Sequence, residues 1–152
     1  MRCPWGKYLS PIIDCYDRYI VSWTIGTRPN AALSNTILDK AISLLKNGEN
    51  SIIHSDRGGH YRWPGWIERM NKAKLIRSMS RKGCSPDNSA CEGFSGRIRD
   101  EMFYGRSWMG VSLGSFMDML DDYLKWYNEK RIKISFGGLS PLAYRRSIGF
   151  IT

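Results

Sequence analysis

The sequence predicts an α/β protein with a mixed sheet flanked by helices, and three observations carry that prediction. Segments rich in β-branched and aromatic residues alternate with segments of helical periodicity along the chain, as layered α/β architectures require. The first two apolar segments are separated by one short turn, which is hairpin spacing. The composition of 152 residues, 42% hydrophobic and 24% charged, suits a single globular domain over 1–152. No internal repeat or low-complexity stretch divides it.

Tyr8–Asp14 is apolar apart from Ser10 and Pro11 and predicts a strand. Cys15–Arg18 is a turn, and Tyr19–Gly26, with Ile20, Val21, Trp23, Thr24 and Ile25, predicts the returning strand. Asn30 can cap the next element. Ala32, Leu33, Ile37, Leu38, Ala41, Ile42 and Leu45 recur at three- and four-residue steps, which predicts an amphipathic helix ended by Asn47-Gly48. Ser51–His54 predicts a short buried strand. Pro64 suits the first turn of a helix reaching about Ala73, and Leu75–Met79 predicts a further strand. The loop Arg81–Pro86 leads to Asp87 or Asn88, either of which can cap a helix running to Tyr104. A helix over Ser112–Asn128 places Leu113, Phe116, Leu120, Tyr123, Leu124 and Tyr127 on one stripe. Ser140-Pro141 opens a short basic helix at the end of the chain.

Basic residues exceed acidic ones by 23 to 14, a formal charge of +9. That excess predicts a polyanionic partner, nucleic acid among the candidates. Lys125, Lys130, Arg131, Lys133, Arg145 and Arg146 face only Glu129 in the last stretch, so this tail is expected to contact DNA. The cysteines at 3, 15, 84 and 91 form no C-x-x-C pair or zinc spacing, which predicts free thiols in a reducing cytoplasm. No window approaches the roughly 18 apolar residues of a membrane span, and Met1–Lys7 has no apolar core of a signal peptide.

Two acids stand out by position. Asp56 follows the Ser51–His54 strand and precedes Gly58-Gly59. A carboxylate there can hold a hard cation, and Mg²⁺ or Mn²⁺ takes oxygen ligands with one or two protein carboxylates. The same Ser-Asp-x-Gly-Gly run is also good turn chemistry. Glu92 lies one turn into the helix after Asn88, where an acid also favours the helix dipole without any further role. Arg99 follows seven positions later, two helical turns on, so a metal-binding acid and a phosphate-binding base can share one face. No Ser, Cys or Thr stands with an oriented base, so covalent catalysis is not indicated.

His54-Ser55-Asp56-Arg57-Gly58-Gly59-His60-Tyr61, Ser78-Met79-Ser80-Arg81-Lys82-Gly83 and Asp87-Asn88-Ser89-Ala90-Cys91-Glu92-Gly93-Phe94 resemble successive motifs of insertion-sequence transposases with a retroviral-integrase-like core. Tyr8-Leu9-Ser10-Pro11, Trp126-Tyr127-Asn128 and Ser140-Pro141 fit the same family, as do the 35 residues between Asp56 and Glu92. The resemblance runs from about Lys7 to Phe150. It implies a ribonuclease H-like fold and metal-dependent DNA strand transfer, with Asp56 and Glu92 as catalytic metal ligands, side by side, for two Mg²⁺ or Mn²⁺ ions. It further implies that Arg81, Lys82 and Arg99 contact DNA phosphates, that transposon ends and target are the DNA partners, and that transposase chains associate. The bacterial cytoplasm, at the nucleoid, is the implied location.

The family's first Asp lies on the central strand, immediately before the Tyr8–Asp14 strand, and Met1–Lys7 does not contain it. The resemblance therefore implies a catalytic core truncated at the N-terminus, a sheet without its middle strand, and no strand joining by this chain alone. Asp14 closes its strand and is not a substitute. An inactive nucleic-acid-binding remnant is the alternative. Ser95 stands where the family has a second Phe, and Arg99 where it has Lys.

Overall fold

The computed structural model describes residues 1–46, 48–82 and 88–150. Strand β1 (Tyr8–Ile13) pairs antiparallel with β2 (Ile20–Gly26), with Tyr8 opposite Gly26 and an irregularity at Ile12/Ile13. Helix α1 (Ala31–Ile42) follows. Strand β3 (Ile52–Ser55) then pairs parallel with β4 (Ile76–Met79) across helix α2 (Pro64–Lys72). Helix α3 (Ser89–Ile98) runs into a π turn at Arg99–Phe103. Helix α4 (Leu113–Glu129) and the short α5 (Pro141–Ser147) complete the chain.

The sheet is in two halves. Among the described residues β1 pairs only with β2 along its length and β3 only with β4, in keeping with a mixed sheet that lacks its central strand. Among the described residues, the edge of β1 facing away from β2 is met only at its start. There Arg2 bridges Tyr8, and Leu9 exchanges both backbone hydrogen bonds with Met1. Leu9 thus points its peptide groups away from β2, and so does Pro11 two residues on. Pro11 has no N–H to donate, and this register places the missing donor on the edge that β2 does not use.

Each half has its own apolar cluster. Leu9 and Ile20 pack with Phe94, Ile98 and Met102 and with the α4 stripe Phe116, Leu120, Leu124 and Tyr127. Ile37 and Leu38 of α1 pack with Trp66, Met70 and Leu75. On its α1-facing side β2 carries Ser22 and Thr24, whose hydroxyls donate to the Ile37 and Leu33 carbonyls. Of the six residues expected on the α4 stripe, Leu113 is 40% exposed because it is the first residue of the helix.

Several expectations need correction. Helix α1 ends at Ile42, before Asn47-Gly48, because the chain tightens into a turn there: Leu44 and Leu45 donate to the carbonyls of Ala41 and Ile42 and the Ser43 hydroxyl to that of Lys40. Residue 47 lies outside the described residues. The β3 strand is not buried: Ile52 is 64% exposed and its cross-strand neighbour Ile76 is 52% exposed. Among the described elements β3 packs mainly against β4, and an apolar strand face is buried only where another layer covers it. The helix predicted to reach Tyr104 stops being α-helical at Ile98. Asn88 holds the N-cap position without a side-chain cap bond, and Asp87, with the rest of 83–87, lies outside the described residues.

Candidate functional site

Asp56 sits immediately beyond β3, exposed. Its Oδ1 accepts the Gly58 N–H at 2.7 Å, so turn chemistry and an oriented carboxylate coexist at one residue. Gly58 is required for that arrangement by space: a Cβ there would stand 2.8 Å from Asp56 Oδ1. Strand β3 is tied to β4 by His54, whose two ring nitrogens contact the Ser78 and Ser80 hydroxyls at 2.9 and 3.0 Å. The segment entering Arg81 and Lys82 is thereby fixed against the segment entering Asp56.

Glu92 lies in the first turn of α3, exposed. The charge of Asp56 reaches its neighbour Cys91, whose thiol is pushed up in pKa by burial first, then by Cys15 and, more weakly, by Asp56. It also reaches Tyr61, whose phenol rises to about 12, chiefly by burial, with a hydrogen bond from Ser10 of β1 opposing. Helix α3 packs against β1, and Asp56 lies within electrostatic range of Cys91 at the start of α3 and of Tyr61. A third acid is not brought in: among the described residues no three His, Cys, Asp or Glu side chains gather as a metal site. Asp14 is held elsewhere, by the Tyr16 N–H and by Arg145.

Arg81, Lys82 and Arg99 are exposed, Arg81 and Lys82 just after β4 and Arg99 at the junction of α3 with the π turn. The basic tail is less available than its sequence suggests. Lys125 pairs with Asp121, and Arg131 grips Glu101 through two nitrogens while Tyr123 donates to the same carboxylate. Arg145 is 7% exposed, bonded to Asp17 and Asp14, and its guanidinium lies 4.0 Å from the centre of the Tyr19 ring. An arginine in that position clamps α5 to the β1–β2 turn and has no free face for DNA.

Two residues whose structural roles sequence reasoning missed organise this end of the molecule. Asn128 is buried, and its amide accepts from Ile20 N–H and donates to Ile20 C=O, both at 2.9 Å. Lys133 is half-buried beneath the tail, donating to the Asp17 carbonyl at 3.2 Å and lying about 5 Å from the Tyr127 and Phe136 ring centres. Burial, then the charges of Arg131 and Arg97, lower its pKa to about 8. The signal for Asn128 was an amide on an otherwise apolar helical stripe; nothing local distinguished Lys133 from its basic neighbours.

Residues 1–85 match the family model described as integrase core domain, and residues 92–147 match a second model of the same description. A probable transposase of an insertion sequence from Shigella flexneri is 56% identical over 153 aligned positions, covering all of this chain and 30% of that protein. A putative insertion-sequence transposase from Escherichia coli is 33% identical over 138, covering 91% of this chain and 48% of that one. The chain thus spans 30% and 48% of the length of these two relatives. Among solved structures, the integrase of a simian T-cell lymphotropic virus intasome aligns with a TM-score of 0.61 at 16% identity, over 82% of this chain and 43% of that one. The HTLV-2 integrase catalytic core in complex with magnesium, a dimeric form, aligns at 0.54 and 14%, over 87% and 79%. At such identities the likeness is one of fold, the ribonuclease H-like fold. No described helix is long and apolar enough to cross a membrane.

Proposed function

Because the chain belongs to the integrase core domain family, we propose that it carries part of a metal-dependent DNA strand-transfer surface of an insertion-sequence transposase. Asp56 and Glu92 are its metal-binding carboxylates, and Arg81, Lys82 and Arg99 contact DNA phosphates. The observations that support this most are an Asp56 carboxylate oriented by the Gly58 N–H at the end of β3 and an exposed Glu92 in the first turn of α3, whose neighbour Cys91 the charge of Asp56 reaches.

The donor set suits Mg²⁺ or Mn²⁺, which prefers carboxylate oxygen, accepts one or two protein carboxylates and keeps several waters. Bound there, such a cation would supply activation of a water or 3′-hydroxyl and neutralisation of the leaving oxygen. The protein's own residues do the rest. The Gly58 N–H holds one oxygen of Asp56 and leaves the other free. The exposed guanidinium of Arg99 offers planar paired donors to a phosphate, and Lys82 offers a point charge. Two carboxylates fall short of the three this chemistry uses in the family, so strand joining requires an acid from outside the described surface. Association of transposase chains, like the dimeric and intasome assemblies of the fold neighbours, belongs to the same proposal.

A manganese titration with a strand-transfer assay on duplexes bearing insertion-sequence ends tests it. The chain is expected to bind Mn²⁺ weakly, with Asp56→Asn and Glu92→Gln each reducing affinity, and to join no DNA by itself. Manganese binding unaffected by both substitutions would refute the metal site. Strand joining by the chain, abolished by Asp56→Asn, would refute the need for a further acid. DNA binding with no metal dependence at all would leave the inactive remnant as the correct description.

A further inference from the structure

Tyr127 is the centre of a cationic cluster that the strand-transfer surface does not use. Phe94 of α3 packs edge-on against Tyr127 of α4, ring centres 5.4 Å apart, and Arg97 lies one turn beyond Phe94. Above the Tyr127 ring stand Lys133 Nζ at 5.0 Å and the Arg131 guanidinium at 5.6 Å. Arg18 enters from the β1–β2 turn, beside the Asp17 whose carbonyl Lys133 holds. The charges of Arg18, Arg97 and Arg131 all reach Lys133 and Tyr127.

The carboxylates here are engaged elsewhere. Asp14 and Asp17 bind Arg145, and Glu101 binds Arg131. Arg18 and Arg97 are exposed and have no ion-pair partner among the described residues. Five cations thus meet three acids, and the uncompensated ones, Arg18, Arg97 and Lys133, come from three separate elements. Like charges gathered from distant segments repel one another, and an anion between them removes the repulsion.

We propose that Arg18, Arg97 and Lys133, with Arg131 behind them, form a phosphate cradle that holds a phosphodiester of a nucleic-acid backbone at a distance from the reacting strand. The assignment to nucleic acid rests on the strand-transfer proposal; the anion site itself does not. Arginine presents a planar fork that matches phosphate oxygens, and Lys133 uses one donor on Asp17 and has two left. Position supports a nucleic-acid phosphate over a free one, because Arg97 of the cradle and Glu92 stand on the same helix, five residues or about 7.5 Å apart along its axis. One backbone can therefore run from the carboxylates to the cradle.

The cradle has a pH signature. Lys133 faces Asp17 and Arg18 on the β1–β2 turn, Arg97 on α3, Tyr127 on α4 and Arg131 just beyond it, with Glu101 behind Arg131 and Arg145 behind Asp17. With its pKa at about 8 in the free protein, Lys133 is largely neutral at pH 9, and a bound phosphate draws a proton back onto it. Affinity should fall as pH rises through this range, by at most about tenfold between pH 7 and pH 9 for one group.

The test is fluorescence anisotropy of a labelled DNA duplex of arbitrary sequence, without divalent metal, beside thermal-shift titration with inorganic phosphate. Because neither readout needs metal or strand joining, failure of the cradle is distinguishable from failure of the strand-transfer site. Arg18→Gly and Arg97→Gln are exposed changes that spare the fold; Arg18 has a φ of 63°, a left-handed conformation that glycine adopts without strain. Each should weaken duplex binding severalfold. Lys133→Arg, charged throughout, should keep affinity and lose the dependence between pH 7 and pH 9. Unchanged duplex binding in both Arg18→Gly and Arg97→Gln, or an unchanged pH slope in Lys133→Arg, overturns the proposal. Stabilisation by inorganic phosphate that those variants lose, with duplex binding intact, overturns the nucleic-acid assignment and leaves a free-anion site.

Discussion

Replacing Asn128 should be among the most damaging single changes in the chain. Its side chain is 4% exposed, and it satisfies both peptide groups of Ile20, itself fully buried, at 2.9 Å each. Asn128→Ala leaves a donor and an acceptor without partners, and each such group costs about 1–3 kcal/mol. A loss of about 2–6 kcal/mol follows, against a total of about 5–15 kcal/mol for an ordinary domain. At this chain length each kcal/mol moves Tm by roughly 2–4 °C. Urea unfolding followed by tryptophan fluorescence should show a lowered midpoint with an unchanged slope, the mark of an altered stability. Asn128→Leu separates the causes: it refills the volume but makes neither bond, so it should be nearly as unstable as the alanine variant. An Asn128→Leu protein within about 0.5 kcal/mol of the parent, the range of a neutral surface change, would refute the claim that these two bonds hold β2 to α4.

Arg145→Met should cost about 3–5 kcal/mol, because it strands the buried Asp17 carboxylate without its partner, and adding Asp17→Asn should recover part of the loss in the same urea assay. Gly58→Ala should leave stability nearly unchanged, since its φ of −52° suits any residue and its new Cβ meets only side-chain atoms, the Asp56 carboxylate at 2.8 Å and the His60 ring at 3.3 Å; manganese affinity should nevertheless drop, and unaltered affinity would show that the orientation of Asp56 is immaterial. Between about pH 8 and pH 10 the unfolded chain keeps a proton on Lys133 that the folded chain has released, so this residue's contribution to stability rises with pH in that window. Subtracting the urea midpoints of Lys133→Met from those of the parent should isolate this rise, and a flat difference would show that Lys133 is not desolvated.

Local chemistry was legible wherever it repeats along the chain. Apolar periodicity marked β1, β2, α1 and α4 to within a few residues, because burying one face imposes a period of 2 or 3.6 on the sequence itself. Asn30, Ser112 and Ser140 revealed three helix starts, and each accepts the backbone N–H three residues on. The motif words around Asp56 and Glu92 carried the family. By itself, then, the sequence determined the order of the elements, two candidate metal-binding acids and an excess of positive charge.

What the sequence could not determine was where that charge is neutralised. Lys133, Arg131 and Arg145 look alike in a basic tail, yet Arg145 is buried between Asp14 and Asp17, more than a hundred residues away, Arg131 is fixed on Glu101, and Lys133 is stripped of water beside Tyr127. Nor could it place Ile52 and Ile76 in solvent, since a short apolar strand is buried only if something covers it. Tertiary structure decided these matters for one physical reason. A side chain's propensity is written in its own residue, but desolvation and ion pairing depend on partners from distant segments, and only the packed chain determines which partners those are.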